Sequence, residues 1–248
     1  MAQVSIVTSQ AEAVIRDDDA MRFTFVGDSM TIGRAGDFTW RYRMWQHLAS
    51  ASRAPFAIVG PRSELYDTGE NAPVSYEYGA PDFPVEARTH LAGWGEGWLH
   101  MAPVIAGTVA EHRTDVLLVS LGLIDLGFYT DSGQTALNAR AFITAARTAN
   151  PHVKMVLLPV IPNVRAESDA PFAAECDRFN ELLAKAVADL DDPMSPILLA
   201  SRPAGYDIHR DTYDGTHPGP SGEHKLAATF ADAMHQAWGL GAPYAAHP

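Results

Sequence analysis

Ser29, Asp214 and His217 are the residues of this 248-residue chain whose types and spacing could do covalent chemistry together. Ser29 lies in FTFVGDSMTIG, residues 23 to 33, where an apolar run ends in Gly27-Asp28-Ser29 and turns at once into a polar segment. A serine is thereby delivered to the mouth of a strand. Far along the chain, residues 214 to 222 read DGTHPGPSG and set Asp214 and His217 three residues apart, just before a helical pattern. A serine hydroxyl is a poor nucleophile near neutral pH until an imidazole takes its proton, and a carboxylate on the other ring nitrogen holds the tautomer that can do so. In the chain order Ser, Asp, His these residues read as the parts of an acyl-transfer triad. Taken singly, the same serine would be a helix cap or turn residue, and the histidine before Pro218 a surface loop residue.

Placing these groups falls to five short apolar runs: Phe23 to Val26, Phe56 to Gly60, Val116 to Leu121, Val153 to Pro159 and Ile197 to Ala200. Their Val, Ile, Leu and Phe content predicts buried parallel strands. Helical periodicity fills Trp40 to Ser52, roughly Leu99 to His112, Gln134 to Asn150, Pro171 to Leu190 and Gly222 to Trp238. The alternation predicts the α/β class, a three-layer α/β/α sandwich around a five-stranded parallel sheet. Sites in such folds open at the carboxyl ends of the strands. Ser29 follows the first strand, Gly122 to Asp125 the third, Asn163 the fourth, and Asp214 and His217 the fifth, so four loops should meet at one rim. Residues 61 to 98, rich in Gly, Pro and aromatics, are the least regular stretch and are expected to form an ordered wall over that rim.

Composition narrows the function classes. The chain is 47% hydrophobic and reads as one domain over residues 1–248, with a core of about 20–240. Its 18 Lys and Arg against 30 Asp and Glu give a net charge of −12 without a basic cluster, which argues against a nucleic-acid partner. Residues 1 to 20 lack a basic start and a continuous apolar stretch, so neither a secretory signal nor a membrane anchor is expected, and a cytoplasmic location follows by default. Cys176, the sole cysteine, has no partner for an internal disulfide. His100 and His112 fall at helical spacing without a carboxylate set, so no cofactor and no catalytic metal are expected. The tail after Trp238 is expected to be surface and frayed.

Gly27-Asp28-Ser29-Met30-Thr31 and Asp214-Gly215-Thr216-His217, at opposite ends of this alternating pattern, resemble the first and last blocks of the SGNH hydrolase superfamily, also called GDSL-type esterases and lipases. The resemblance covers most of the chain. It implies a flavodoxin-like SGNH fold in which Ser29 is the nucleophile, His217 the base and Asp214 its orienter. It also implies an oxyanion hole built from the Ser29 amide, a glycine amide and an asparagine side chain. Ala92-Gly93-Trp94 resembles the glycine block, which assigns Gly93, with Gly95 the runner-up. Where the family has the asparagine of GxND, this chain reads Gly122-Leu123-Ile124-Asp125, so Ile124 offers no donor. Loss of one such donor typically costs about 10² to 10³ in rate.

Three readings of Ile124 stay open. Another side chain such as Asn163 supplies the bond, the substrate is an activated acyl donor that needs less help, or the fold serves a different reaction. Asp28 and Asp125 are expected to brace their loops rather than touch substrate. Trp94, Leu123, Ile124 and Asn163, amid other apolar rim residues, are the candidate substrate-binding set. The implied activity is cleavage of an ester or thioester of a small, hydrophobic molecule through an acyl-enzyme. An acyltransferase using the same serine, and a binding protein that has lost turnover, are the alternatives.

Overall fold

Side chains along the central strands alternate between two apolar cores, and that alternation explains the layers. The computed structural model describes residues 20–52 and 54–245. The expectation of neither leader nor anchor at the N-terminus falls on residues 1–19, outside the described residues. Strands β1 (Met21–Gly27), β2 (Phe56–Ile58), β6 (Val116–Ser120), β7 (Lys154–Leu158) and β8 (Ile197–Leu199) form a parallel sheet in the order β2-β1-β6-β7-β8. From β6, Leu117 and Val119 enter one core while Val116 and Leu118 enter the other; Met155 and Leu157 alternate with Val156 and Leu158 in β7 in the same way. Strands apolar on both faces need cover on both faces.

Helices supply that cover. On one side lie α3 (Trp98–Met101), α4 (Ile105–His112), α5 (Ser132–Ala149) and α6 (Ala170–Leu190), with Trp98, Ile105, Phe142 and Phe179 buried against the sheet. On the other lie α2 (Trp40–Ala51) and α8 (Pro220–Trp238), whose Trp40 and Phe230 rings stack at 4.8 Å. The α/β sandwich is thus as the alternation predicts, and all five expected strands are present. The expected helix over 99–112 is split into α3 and α4 around Pro103, which cannot donate the helical hydrogen bond.

Residues 61–98 are more ordered than a loop. They contain an antiparallel pair, β3 (Leu65–Asp67) and β4 (Ala72–Ser75), and a two-residue strand β5 (Leu91–Ala92). β1 is paired along one edge by β2 at its amino-terminal half and by β5 at its carboxyl half, so the sheet has six strands rather than five. The tail after Trp238 lies at the surface as expected over its described residues 239–245, but it is tied down by Tyr244. Its Tyr244 amide donates to Asp232 Oδ1 at 2.8 Å, its hydroxyl lies 2.7 Å from His224 Nδ1, and its ring packs 5.2 Å from His47. Among the described residues, no helix is long and apolar enough to cross a membrane.

Candidate active site

Ser29 is the first residue of a four-residue helix, α1 (Ser29–Ile32), that begins where β1 stops. The turn is tight because Asp28 caps α1, accepting the Met30 amide at 2.9 Å on Oδ1, and because Gly27 has no side chain. A Cβ at Gly27 would run into the Thr31 side chain and the Ser120 carbonyl of the neighbouring strand. Burial pushes the Asp28 carboxyl up to about 7; the Met30 amide opposes that and nearby Asp125 adds to it.

His217 meets this serine from the loop between α7 (Ile208–Asp211) and α8. Its Nε2 is 2.9 Å from Ser29 Oγ and its Nδ1 is 2.7 Å from Asp214 Oδ2, although 188 residues separate the histidine from the serine. Asp214 Oδ1 also accepts the His217 and Thr216 amides at 2.8 and 3.0 Å. Burial would raise the Asp214 carboxyl, but the His217 amide and ring outweigh it and hold it below the ordinary aspartate value. With Nδ1–H donating to Asp214, Nε2 is left as the acceptor for the Ser29 hydroxyl. These are the contacts a serine needs to lose its proton to a neighbouring base.

The third expected residue set comes together around a cavity of about 410 Å³ that reaches Ser29 and His217. Trp94, Leu123, Ile124 and Asn163 all line it. So do Gly95, Phe128, Tyr129, Arg165 and Phe172, of which Arg165 and Phe172 carried no signal in the sequence because they follow an irregular loop after β7. Trp40 and Trp98, though they are near the motifs in sequence, are fully buried core residues. His90 is buried too: Nε2 lies 3.0 Å from the Glu64 carbonyl and Nδ1 accepts the Ala92 amide at 3.1 Å, so it braces the wall and does not face substrate.

Gly93 requires a correction. Its amide donates to the Gly27 carbonyl at 3.1 Å, continuing the β1–β5 ladder, and is therefore committed to the sheet rather than to a substrate oxygen. Gly95, two residues on, lines the cavity. Asn163 Oδ1 accepts the Arg165 amide at 3.2 Å, which leaves Nδ2 as the end of the amide able to serve the cavity. The same loop is tied to the histidine: Val164 N–H donates to the Gly215 carbonyl at 2.8 Å, and a Cβ on Gly215, where φ is +84°, would strike Val164. Asp125 accepts the Trp98 and Leu99 amides at 2.9 and 3.1 Å and so caps α3, the bracing role expected of it.

Comparison with known proteins fits this geometry. The family model described as GDSL-like lipase/acylhydrolase matches residues 25–225. The chain belongs to the GDSL-like lipase/acylhydrolase family. It is accordingly an ester-hydrolysing enzyme, and the parallel sheet flanked by helices is that family's fold. Among solved structures, a carbohydrate esterase family 3 protein from Talaromyces cellulolyticus is similar at 23% identity and TM-score 0.68, over 87% of this chain and 97% of that one. A family 3 carbohydrate esterase from Clostridium thermocellum matches at 18% and 0.68, over 88% and 96%. An acetyl esterase mutant with an acetate ion matches at 23% and 0.68, over 87% and 97%. No curated protein sequence matches significantly. Among the described residues no group of three or more His, Cys, Asp or Glu side chains could hold a metal ion.

Proposed function

We propose that this GDSL-type enzyme is a serine esterase that cleaves small esters or thioesters with a short apolar acyl group through an acyl-enzyme. The observation that carries the reading is the continuous line from Ser29 Oγ through His217 to Asp214, with contacts of 2.9 and 2.7 Å. His217 takes the Ser29 proton as the hydroxyl attacks the acyl carbon, then returns it to the departing alkoxide or thiolate; water repeats the sequence to release the acid. Asp214 keeps the ring in the working tautomer.

The oxyanion would be held by the Ser29 amide, by Gly95 in place of Gly93, and by Asn163 Nδ2 in place of the family asparagine whose position Ile124 occupies. Leu123, Ile124, Phe128 and Phe172 give the cavity apolar walls that suit an acyl chain. The similar structures are named as acetyl and carbohydrate esterases, which favours the shortest acyl groups on a polar alcohol.

A p-nitrophenyl ester series tests this reading. The expected profile peaks at roughly two to six acyl carbons and falls steeply by about twelve, as a cavity of this volume fills. Added alcohol should leave the free acid as the main product. A profile that rises with chain length, or transfer to the alcohol as the main outcome, would overturn it.

A further inference from the structure

The His217 ring runs nearly parallel to two aromatic rings. The Trp94 indole stacks on it, with centroids 4.6 Å apart and planes 18° apart, and the Tyr213 ring lies at 5.7 Å and 17°. Each of these rings has a second partner. Tyr66 stacks on Trp94 at 4.4 Å and 15°, and the Arg34 guanidinium sits 3.9 Å over the Tyr213 ring. Arg34 and Tyr66 are neighbours in the backbone: residues 34 and 66 form a parallel bridge, with Ala35 N–H donating to Tyr66 O at 2.8 Å and Tyr66 N–H to Gly33 O at 2.9 Å. One backbone pairing therefore fixes both residues that back the Trp94 and Tyr213 rings.

We infer that Tyr213 and Trp94, clamped by Arg34 and Tyr66, are positioning residues that hold the His217 ring in line between Asp214 and Ser29. The inference rests on the reading of His217 as the base. The need for such a clamp follows from Asp214, whose side chain is 44% exposed against 15% for His217, so water competes for the carboxylate that would otherwise orient the ring. A ring in parallel contact with two others cannot turn about its side-chain bond without losing both contacts, while its Nε2 stays 2.9 Å from Ser29 Oγ. Electron-rich ring faces also favour the imidazolium that forms when Ser29 gives up its proton. The charges around these rings are Arg34, its ion-pair partner Asp37 at 3.5 Å, Asp214 and Glu223. Residues 61–98 gain a purpose beyond walling the cavity, since two of the stacked rings belong to them.

Tyr213 is the residue to test, because it stacks on His217 without lining the cavity. Tyr213→Ala, Tyr213→Leu and Tyr213→Phe are compared with the parent by p-nitrophenyl acetate kinetics, after circular dichroism has shown each to be folded. The expected result is a kcat at least about tenfold lower for Ala and Leu with KM within about twofold, and recovery of most of the rate by Phe, which restores the flat face without the hydroxyl. Trp94→Ala should lower kcat likewise. Equal rates for Leu and Phe, or an effect confined to KM, would overturn the clamp. His217→Ala in the same assay separates the two claims: if it keeps the parental rate, the base assignment itself fails, whereas a dead His217→Ala beside a fully active Tyr213→Ala refutes the clamp alone.

Discussion

At the residue scale the unusual feature is an esterase site in which Ile124 stands where the family has an oxyanion asparagine. Asn163 reaches the same cavity from the next loop, with its Oδ1 committed to Arg165 and its amide nitrogen left over. Asn163→Ala should therefore cut kcat for p-nitrophenyl acetate by about 10² with KM little changed, the usual cost of one oxyanion donor. Ile124→Asn should change it by less than about threefold if Asn163 supplies the donor as proposed; a gain of about tenfold or more would return the missing bond to position 124 and remove it from Asn163. The meeting of Ser29, His217 and Asp214 was legible in the sequence because each half is a local motif and their order fits the strand pattern. Gly93 was misread for a physical reason: whether a backbone amide is free depends on the register of the strand it leaves, which no motif records. Tyr213 adjoins Asp214 in sequence, yet its stacking on His217 depends on where Trp94 and Arg34 arrive from distant segments.

At the element scale, α1 is a single turn and cannot be stable on its own. Arg41 of α2 holds it. This fully buried guanidinium donates from Nε to Thr31 O at 2.8 Å and from Nη2 to Ile32 O at 3.0 Å, closing carbonyls at the end of α1, and from Nη1 to Arg88 O at 2.8 Å in the wall. Arg41→Leu should destabilise the protein by about 3 kcal/mol or more in urea unfolding, since it strands several buried carbonyls, and a loss below about 1 kcal/mol would show that water replaces the arginine. The strands and long helices were legible because their apolar periods are sustained. The hairpin of β3 and β4 was not, because its strands are three and four residues long and β4 carries Pro73. A bracing role for Asp125 was expected, but that it caps α3 depends on a partner 27 residues away and leaves no local trace.

For the whole molecule, buried acids set the pH dependence of stability. Burial raises Asp28 from 3.8 to about 7 and also raises Asp37, Asp125 and Glu223. A carboxyl raised on folding keeps its proton where the unfolded chain has lost it, so stability is full below about pH 4 for these groups and declines as pH rises toward 7. Asp214 and Asp211 are lowered, and their contribution disappears as pH falls through the acidic range. The net charge of −12 adds self-repulsion at higher pH. Thermal melts should thus show the highest Tm near about pH 5 and a fall toward pH 8. Asp28→Asn, which can still accept the Met30 amide, should flatten that fall; an unchanged slope would mean that Asp28 is ionised in the folded protein at little cost.

The most direct test of the central claim is mass spectrometry of the protein after treatment with a fluorophosphonate, with p-nitrophenyl acetate turnover followed in parallel. The expected result is one adduct, on Ser29, with turnover lost in proportion to labelling, and a Ser29→Ala protein that takes no label and is slower by on the order of 10⁴ or more. Labelling of another residue, or turnover retained by Ser29→Ala, would contradict the assignment of Ser29, His217 and Asp214 as the site of ester cleavage.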